Sequence, residues 1–403
     1  MPKTIAFLTA GGIAPCLSAS IGALIEKYRE IAPDAKLIGY LNGYQGLLKG
    51  KSLDFPPSVW DKFHILYQFG GSALGNSRVK LTNDAACVRA GLVKKGEDPL
   101  KVAADQLVAD KVDILHTIGG DDTNTTAADL AKYLEDHGYG LTVVGLPKTV
   151  DNDVFPIRQT LGALTAAEEG ARFFQNIANE NTTASRQLIV HEVMGRSCGW
   201  LTARTALDYH TKLKGYEWLP ELNISRERWD VDAIWLPEIA IDFEQEYERL
   251  RERMERDDKV HVFLSEGAGT DEIILEIEAS GEKVERDAFG HAALDKLNPG
   301  AYFSENLSRE LKAGKTLVQK SGYFGRSAKP NAEDLELIKQ SAFAAAGYAL
   351  EGKSGVAGLD EDNNNEMSCI AFPRIKGHKK FDLGEPWFQQ LLGEIGQPNY
   401  PKS

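Results

Sequence analysis

Cysteine is scarce: four residues in 403, Cys16, Cys87, Cys198 and Cys369, far apart and with no C-x-x-C pair. That spacing excludes a zinc ribbon and a secreted disulfide framework and fits a reducing cytoplasm. Basic charge is also short, with 46 Lys and Arg against 59 Asp and Glu and a net charge of −13. Such a balance disfavours nucleic acid or an anionic membrane surface as the partner, so an anionic substrate has to be held by a local cluster of Lys and Arg. No stretch approaches the roughly 20 apolar residues of a membrane span. The opening MPKTIAFLTAGG carries one Lys and a short apolar run, which does not read as a signal peptide. The eight histidines show no ligand spacing. G-x-G-x-x-G and H-E-x-x-H are both missing, which weakens dinucleotide and zinc-protease readings.

What is present points to an α/β enzyme of two large lobes, given about 150 residues per domain. Short Ile/Val/Leu-rich runs at 4–9, 36–40, 113–118, 141–146, 187–193, 233–236, 260–265 and 367–372 predict strands. Helical periodicity predicts helices over 18–31, 123–137, 161–180, 242–256 and 332–351. Strands alternating with helices predict mainly parallel sheets covered on both faces, two Rossmann-like three-layer lobes.

One phosphate-loop match is a decoy. GYALEGKS at 347–354 fits G-x4-G-K-S/T, but that motif must follow a strand and open a helix, and Gly347 lies inside an Ala-rich helical run. Its second glycine reads as a helix C-cap.

Five strands instead run straight into small, polar or charged clusters: LTAGG (8–12), TIGGDD (117–122), LPKTVDND (146–153), EVMGR (192–196) and LSEGAG (264–269). Ligands of open α/β sheets sit beyond the carboxyl ends of strands, where the next helix offers free N–H groups. Any one cluster alone is more simply an ordinary strand-to-helix turn. Together, with four carboxylates in two of them, they favour an anion site with a metal. In GGDD, the glycines admit a phosphate close to the backbone and a facing carboxylate is a natural Mg2+ ligand; the bland alternative makes Asp122 or Thr123 a helix N-cap. In PKTVDND, a carboxylate can accept a hydroxyl proton while a lysine offsets phosphoryl charge. The bland alternative there is a loop of Asx turns.

These residues resemble the phosphofructokinase family, in particular its pyrophosphate-dependent branch. The resemblance runs in order through Gly11–Gly12, GGSALGNSR at 70–78, GGDD, PKTVDND, EVMGRSCGW at 192–200, SEGAG and GYFGR at 322–326; the last eighty or so residues carry no motif of it. It implies reversible phosphoryl transfer from pyrophosphate to the 1-hydroxyl of fructose 6-phosphate, with Mg2+ as cofactor and the active site between two lobes. The donor lobe is expected at 1–155 plus 325–403 and the fructose 6-phosphate lobe at 156–324. Asp151 is implied as general base, supported by Asp153, Lys148 and Arg196, with Asp121 on the metal. Gly11, Gly12, Arg78, Gly120, Asp122, Thr123 and Lys148 are implied at the donor. Thr149, Val150, Asp151, Met194, Gly195, Arg196, Glu266, Tyr323 and Arg326 are implied at the sugar phosphate. A homodimer or higher homo-oligomer is implied as well.

Donor choice rests on Asp122 and Lys148, where ATP-dependent relatives carry glycines. A carboxylate facing an α-phosphate at about 4 Å and an effective dielectric of about 20 repels it by roughly 4 kcal/mol, or about a thousandfold in affinity. The chain departs from the family pattern at three places. Ile13 stands where many relatives have an acid. A family arginine falls at Gln187, beside Arg186. A basic ligand six positions before Tyr323 is replaced by Leu317, which leaves Lys315 and Lys320 as substitutes. The competing readings are an ATP-dependent phosphofructokinase, a kinase with a G-G-D turn acting on NAD or a lipid, and a non-catalytic sugar-phosphate-binding subunit. The last should have lost a base or metal ligand, yet Asp121, Asp151 and Asp153 are all present.

Overall fold

The computed structural model describes residues 2–279, 281, 283–285 and 297–399. Among them run eleven strands: β1 (Thr4–Thr9), β2 (Lys36–Tyr40), β3 (Ser52–Asp54), β4 (Ile114–Gly119), β5 (Thr142–Pro147), β6 (Gln187–Val193), β7 (Ala233–Trp235), β8 (Lys259–Ser265), β9 (Lys315–Lys320), β10 (Gly355–Asp360) and β11 (Glu366–Ile370). The chain divides into two compact units, 1–166 with 326–379 and 167–325 with 380–403.

The first unit is built on a seven-stranded sheet in the order β11-β10-β5-β4-β1-β2-β3. Its five central strands are parallel, and the two outermost pairs, β2–β3 and β10–β11, are antiparallel. Parallel strands need crossovers, and helices such as Leu17–Ile31, Pro99–Ala109 and Asp121–Asp136 supply them. β1 and β4 bury nearly every side chain, as strands covered on both faces must. A core including Ala6, Leu8, Tyr40, Leu47, Leu107, Leu115, Leu130 and Val143 forms on one face.

The second unit holds a four-stranded, wholly parallel sheet in the order β7-β8-β6-β9. Phe174, His191, Tyr209 and Phe263 stack and tilt against one another in its interior. Its C-terminal piece corrects the expected boundary, which gave all of 325–403 to the first lobe. Glu238 accepts from the N–H of both Gly199 and Phe381, Gln397 pairs with both backbone groups of Ile234, and the helix Pro386–Ile395 packs against Trp200–Lys214. Residues beyond 379 therefore belong with the second unit.

The 347–354 motif is structural, as expected. Gly347 lies inside the helix Ala332–Leu350, and Gly352 follows its end at φ +73°, a left-handed position glycine takes without cost. The four cysteines are free thiols. Among the described residues, no helix is long and apolar enough to cross a membrane.

Candidate active site

In the first unit, the ends of β1, β4 and β5 bring three sequence clusters together. The turn after β1 is held by the 70–78 segment: the Gly11 N–H donates to Ser77 O at 2.9 Å, and Asn76 Nδ2 donates to Gly11 O at 3.3 Å and Gly12 O at 3.2 Å. Lys148, at the end of β5, reaches back to this turn and donates to Gly12 O at 2.8 Å. It is 6% exposed. Burial holds its ammonium below the ordinary lysine range and the Arg78 charge adds to that, while the Cys16, Asp151 and Asp153 groups pull it back up. A desolvated cation beside a glycine turn is a strong anion ligand, because little water competes for it.

After β4, the helix begins at Asp121, two residues earlier than expected. Gly120 is the N-cap and neither Asp122 nor Thr123 caps by its side chain; Asn124 Nδ2 instead donates to Gly119 O and Gly120 O. Asp121 and Asp122 thus occupy the first turn, where the helix dipole favours negative charge. Thr123 is buried, and Tyr44 donates to its carbonyl.

Asp122 is not the bare charge that the sequence implied. Lys80 Nζ lies 2.6 Å from its Oδ2, with 37% and 64% of the two side chains exposed. The pair is close to neutral, so repulsion of a nucleotide falls well below the roughly 4 kcal/mol of an isolated like-charge contact. Exclusion of a longer donor has to come from occupied space.

Beyond Lys148, Thr149 organises the next turn. Its Oγ1 donates to Asp153 Oδ1 at 2.9 Å and accepts from the Asp151 N–H at 3.1 Å. Asn152, at φ +54°, is buried and accepts from the Thr160 N–H at 2.8 Å, which pins the turn so that Asp151 and Asp153 flank it. Val150 is buried beneath. Burial pushes the Asp153 carboxyl up from its ordinary range and the Asp121 charge adds to this, against the Thr149 hydrogen bond and the nearby His378.

In the second unit, β6 and β8 end side by side at Val193 and Ser265. Met194, Gly195 and Arg196 therefore lie beside Glu266. Gly195 takes φ +125°, and a methyl group there would overlap Cys198 O. Its N–H donates to Glu266 Oε1 at 3.3 Å. Burial holds the Glu266 carboxyl above the usual range, aided by Glu192 and opposed by the Gly195 hydrogen bond and by Arg196 and Lys320. Arg196 is exposed and Tyr323 is 79% exposed. Arg326 opens the second segment of the first unit.

The departures resolve by position. Arg186 and Gln187 lie at the start of β6, seven and six residues, or about 20 Å, from its carboxyl end. Arg186 is used in place, bonding Leu311 O, Lys312 O and Glu255, and Gln187 is fully buried. Lys315 is likewise at the wrong end of β9, paired with Glu180, whereas Lys320 pairs with Glu192 at 2.7 Å at the functional end.

A family model, described as Phosphofructokinase, matches residues 4–348. The chain belongs to the phosphofructokinase family. It is 58% identical to the pyrophosphate–fructose 6-phosphate 1-phosphotransferase of Methylomonas methanica, over 98% of this chain and 97% of that one. It is 57% identical to the enzyme of the same name from Propionibacterium freudenreichii subsp. shermanii, over 99% and 98%. Identity to the ATP-dependent 6-phosphofructokinase 2 of Clostridium perfringens is 30%, over 66% of this chain and 64% of that one. The crystal structure of the pyrophosphate-dependent phosphofructokinase from Marinobacter aquaeolei shares the fold at a TM-score of 0.71 and 20% identity, covering 100% of this chain and 93% of that one.

Motif reading passed over three residues of this phosphofructokinase that stand beside these clusters: Lys80, paired with Asp122, Gly377, packed against Asp121, and His378, which follows it. The charge argument had asked for a local basic cluster in an acidic chain, and RIKGHKK at 374–380 is one. It carries no family motif, so only its composition could have flagged it.

Proposed function

We propose that the chain transfers a phosphoryl group from inorganic pyrophosphate to the 1-hydroxyl of fructose 6-phosphate, giving fructose 1,6-bisphosphate and orthophosphate, in both directions. The single observation carrying this reading is the presence of both Asp122 and Lys148, just after β4 and β5, in a chain more than half identical along nearly its whole length to enzymes named for that reaction.

Asp151 accepts the proton of the attacking hydroxyl. Its amide is fixed on Thr149, so its position is set before substrate arrives. Lys148 places an ammonium at the Gly11–Gly12 turn, where a bare diphosphate lacks the contacts a nucleotide would make, and Arg78, Gly120 and Thr123 complete the donor contacts. Thr149, Val150, Met194, Gly195, Arg196, Glu266, Tyr323 and Arg326 bind the sugar phosphate: the arginines fork onto phosphate oxygens and Glu266 accepts from sugar hydroxyls. Arg196 with Lys148 offsets charge developing on the transferred group.

Asp121 would hold Mg2+, with Asp153 near enough for the Asp121 charge to raise its carboxyl. One or two carboxylates together with water and substrate phosphates are enough to bind such an ion. When bound, it would neutralise donor oxygens. We also read the chain as a cytoplasmic homodimer or higher homo-oligomer, which the family resemblance and four free thiols support and sedimentation analysis tests.

The deciding experiment mixes purified protein with fructose 6-phosphate, Mg2+ and either pyrophosphate or ATP and measures bisphosphate. Turnover with pyrophosphate and little with ATP is expected; the reverse order overturns the reading. Asp151→Ser is expected to bind both substrates and lose all but about a thousandth of kcat; more than about a tenth remaining would remove Asp151 as the base.

A further inference from the structure

Lys376, Gly377 and His378 lie beyond residue 348, where the match to the family model ends. The chain nevertheless returns them to the donor cluster of the first unit. Lys376 and Phe155 exchange both backbone hydrogen bonds, at 2.8 and 2.9 Å, and the Lys379 N–H donates to Asp153 O at 2.9 Å. Lys379 Nζ adds a bond to Ile157 O at 2.9 Å and an ion pair to Glu361 at 2.5 Å. The loop is thus stitched to the segment that follows Asp151, by contacts that involve no side chain of residues 376–378.

Those three side-chain positions are therefore available for another role. Gly377 is not in the left-handed region, so its backbone would accept any L residue. What a side chain there would meet is Asp121. A Cβ on residue 377 would overlap Oδ2 of Asp121 and stand 2.6 Å from its Cγ. The three heavy atoms nearest that position all belong to Asp121. The position thus sets where the Asp121 carboxylate can stand. His378 is exposed, and the residue after it donates its N–H to Asp153 O, which sets His378 beside the second carboxylate of the pair. It occupies φ +61°, a conformation uncommon for a residue with a side chain.

We propose that this loop is a wall of the phosphoryl-donor site, in which Gly377 is a positioning residue for Asp121 and His378 presents its imidazole to the phosphate that departs as orthophosphate. The inference rests on the pyrophosphate reading for the identity of the anion, and on the Gly377–Asp121 packing alone for the metal. It extends the site past the span that defines the family, into a stretch that sequence motifs do not reach.

Two variants test it. Gly377→Ala pushes the Asp121 carboxylate aside, and binding of Mn2+ in the presence of pyrophosphate, read by electron paramagnetic resonance, is expected to weaken at least about tenfold, in line with the usual cost of disturbing a ligand's supports. Fructose 6-phosphate affinity, measured separately, is expected within about twofold of the parent. His378→Gln is expected to raise KM for pyrophosphate, and for orthophosphate in reverse, by about threefold to tenfold, with KM for fructose 6-phosphate unchanged. Parent-like Mn2+ binding by Gly377→Ala, or an equal change toward donor and sugar in both variants, overturns the proposal. Should Gly377→Ala fail to fold, the exposed His378 position decides alone. A parent enzyme that uses ATP and not pyrophosphate would instead defeat the donor reading, and the Mn2+ measurement would still decide the role of Gly377.

Discussion

Lys80 changes what Asp122 is able to do. A carboxylate paired at 2.6 Å presents little net charge to an incoming anion, but it stays where its partner holds it. Partly exposed pairs are worth about 0–1 kcal/mol in stability, so the partnership should show in donor selection more than in folding. Lys80→Met is expected to free the Asp122 charge and raise KM for pyrophosphate severalfold. In an Asp122→Gly background the same change should have little effect, because no carboxylate remains to hold. A double-mutant cycle on kcat/KM reads the coupling; additive losses would mean that Lys80 meets the donor directly. Glu266 supports a second prediction at this scale. Its carboxyl is raised by burial, so the native state prefers it protonated and its ionisation costs stability. Glu266→Gln should therefore stabilise the fold at neutral pH. The advantage should shrink as pH falls through the raised pKa and vanish below the ordinary glutamate range. Fructose 6-phosphate affinity should drop at the same time. Thermal unfolding across pH, beside a sugar-phosphate titration, checks both signs; a variant less stable at neutral pH would refute the first.

Elements buried on both faces are the ones legible in the sequence. β1, β2 and β6 match their expected limits because an unbroken apolar run bounded by polar residues has few other readings. β3, with all three residues exposed, and β9, with no fully buried residue, gave no such contrast and went unseen. β10 was missed because GVAGLD reads as a turn: two glycines interrupt it, and Gly358 is needed where Ile157 packs. The clusters divide in the same way. Glycine turns with charges drew attention to Gly11, Asp121, Lys148 and Asp151, whereas Lys80 meets Asp122, and Gly377 meets Asp121, across sequence separations that no local pattern encodes. Asp334 is another such residue. It is fully buried in the helix Ala332–Leu350 and accepts from the Gly162 N–H at 2.9 Å and from Thr165 Oγ1 at 2.6 Å. Through these bonds it anchors the start of the helix Ala163–Ile177, just after the turn that carries Asp151. Asp334→Ala strands those donors and is expected to cost about 2–4 kcal/mol. Denaturant unfolding measures it, and a loss below about 0.5 kcal/mol would show that water replaces the carboxylate.

For the whole molecule, the chain crosses between its units at 166–167, 325–326 and 379–380. The last crossing separates two stretches with different loyalties. Residues 374–379 are hydrogen-bonded to the turn after Asp153, while 380–399 complete the second unit. Phe381, Phe388, Leu391, Leu392 and Ile395 are each buried there, and burying one such side chain contributes about 1.5–3 kcal/mol. Glu394 adds a bond to His210 at 2.6 Å and an ion pair with Lys214 at 2.6 Å. A chain ending at Lys379 therefore keeps the donor cluster entire and strips the second unit of several kcal/mol. Hydrogen exchange is expected to show lost protection in β6, β7 and β8 with β1, β4 and β5 unchanged, and pyrophosphate binding should outlast fructose 6-phosphate binding. Equal loss of protection in both sheets would mean that the two units unfold as one.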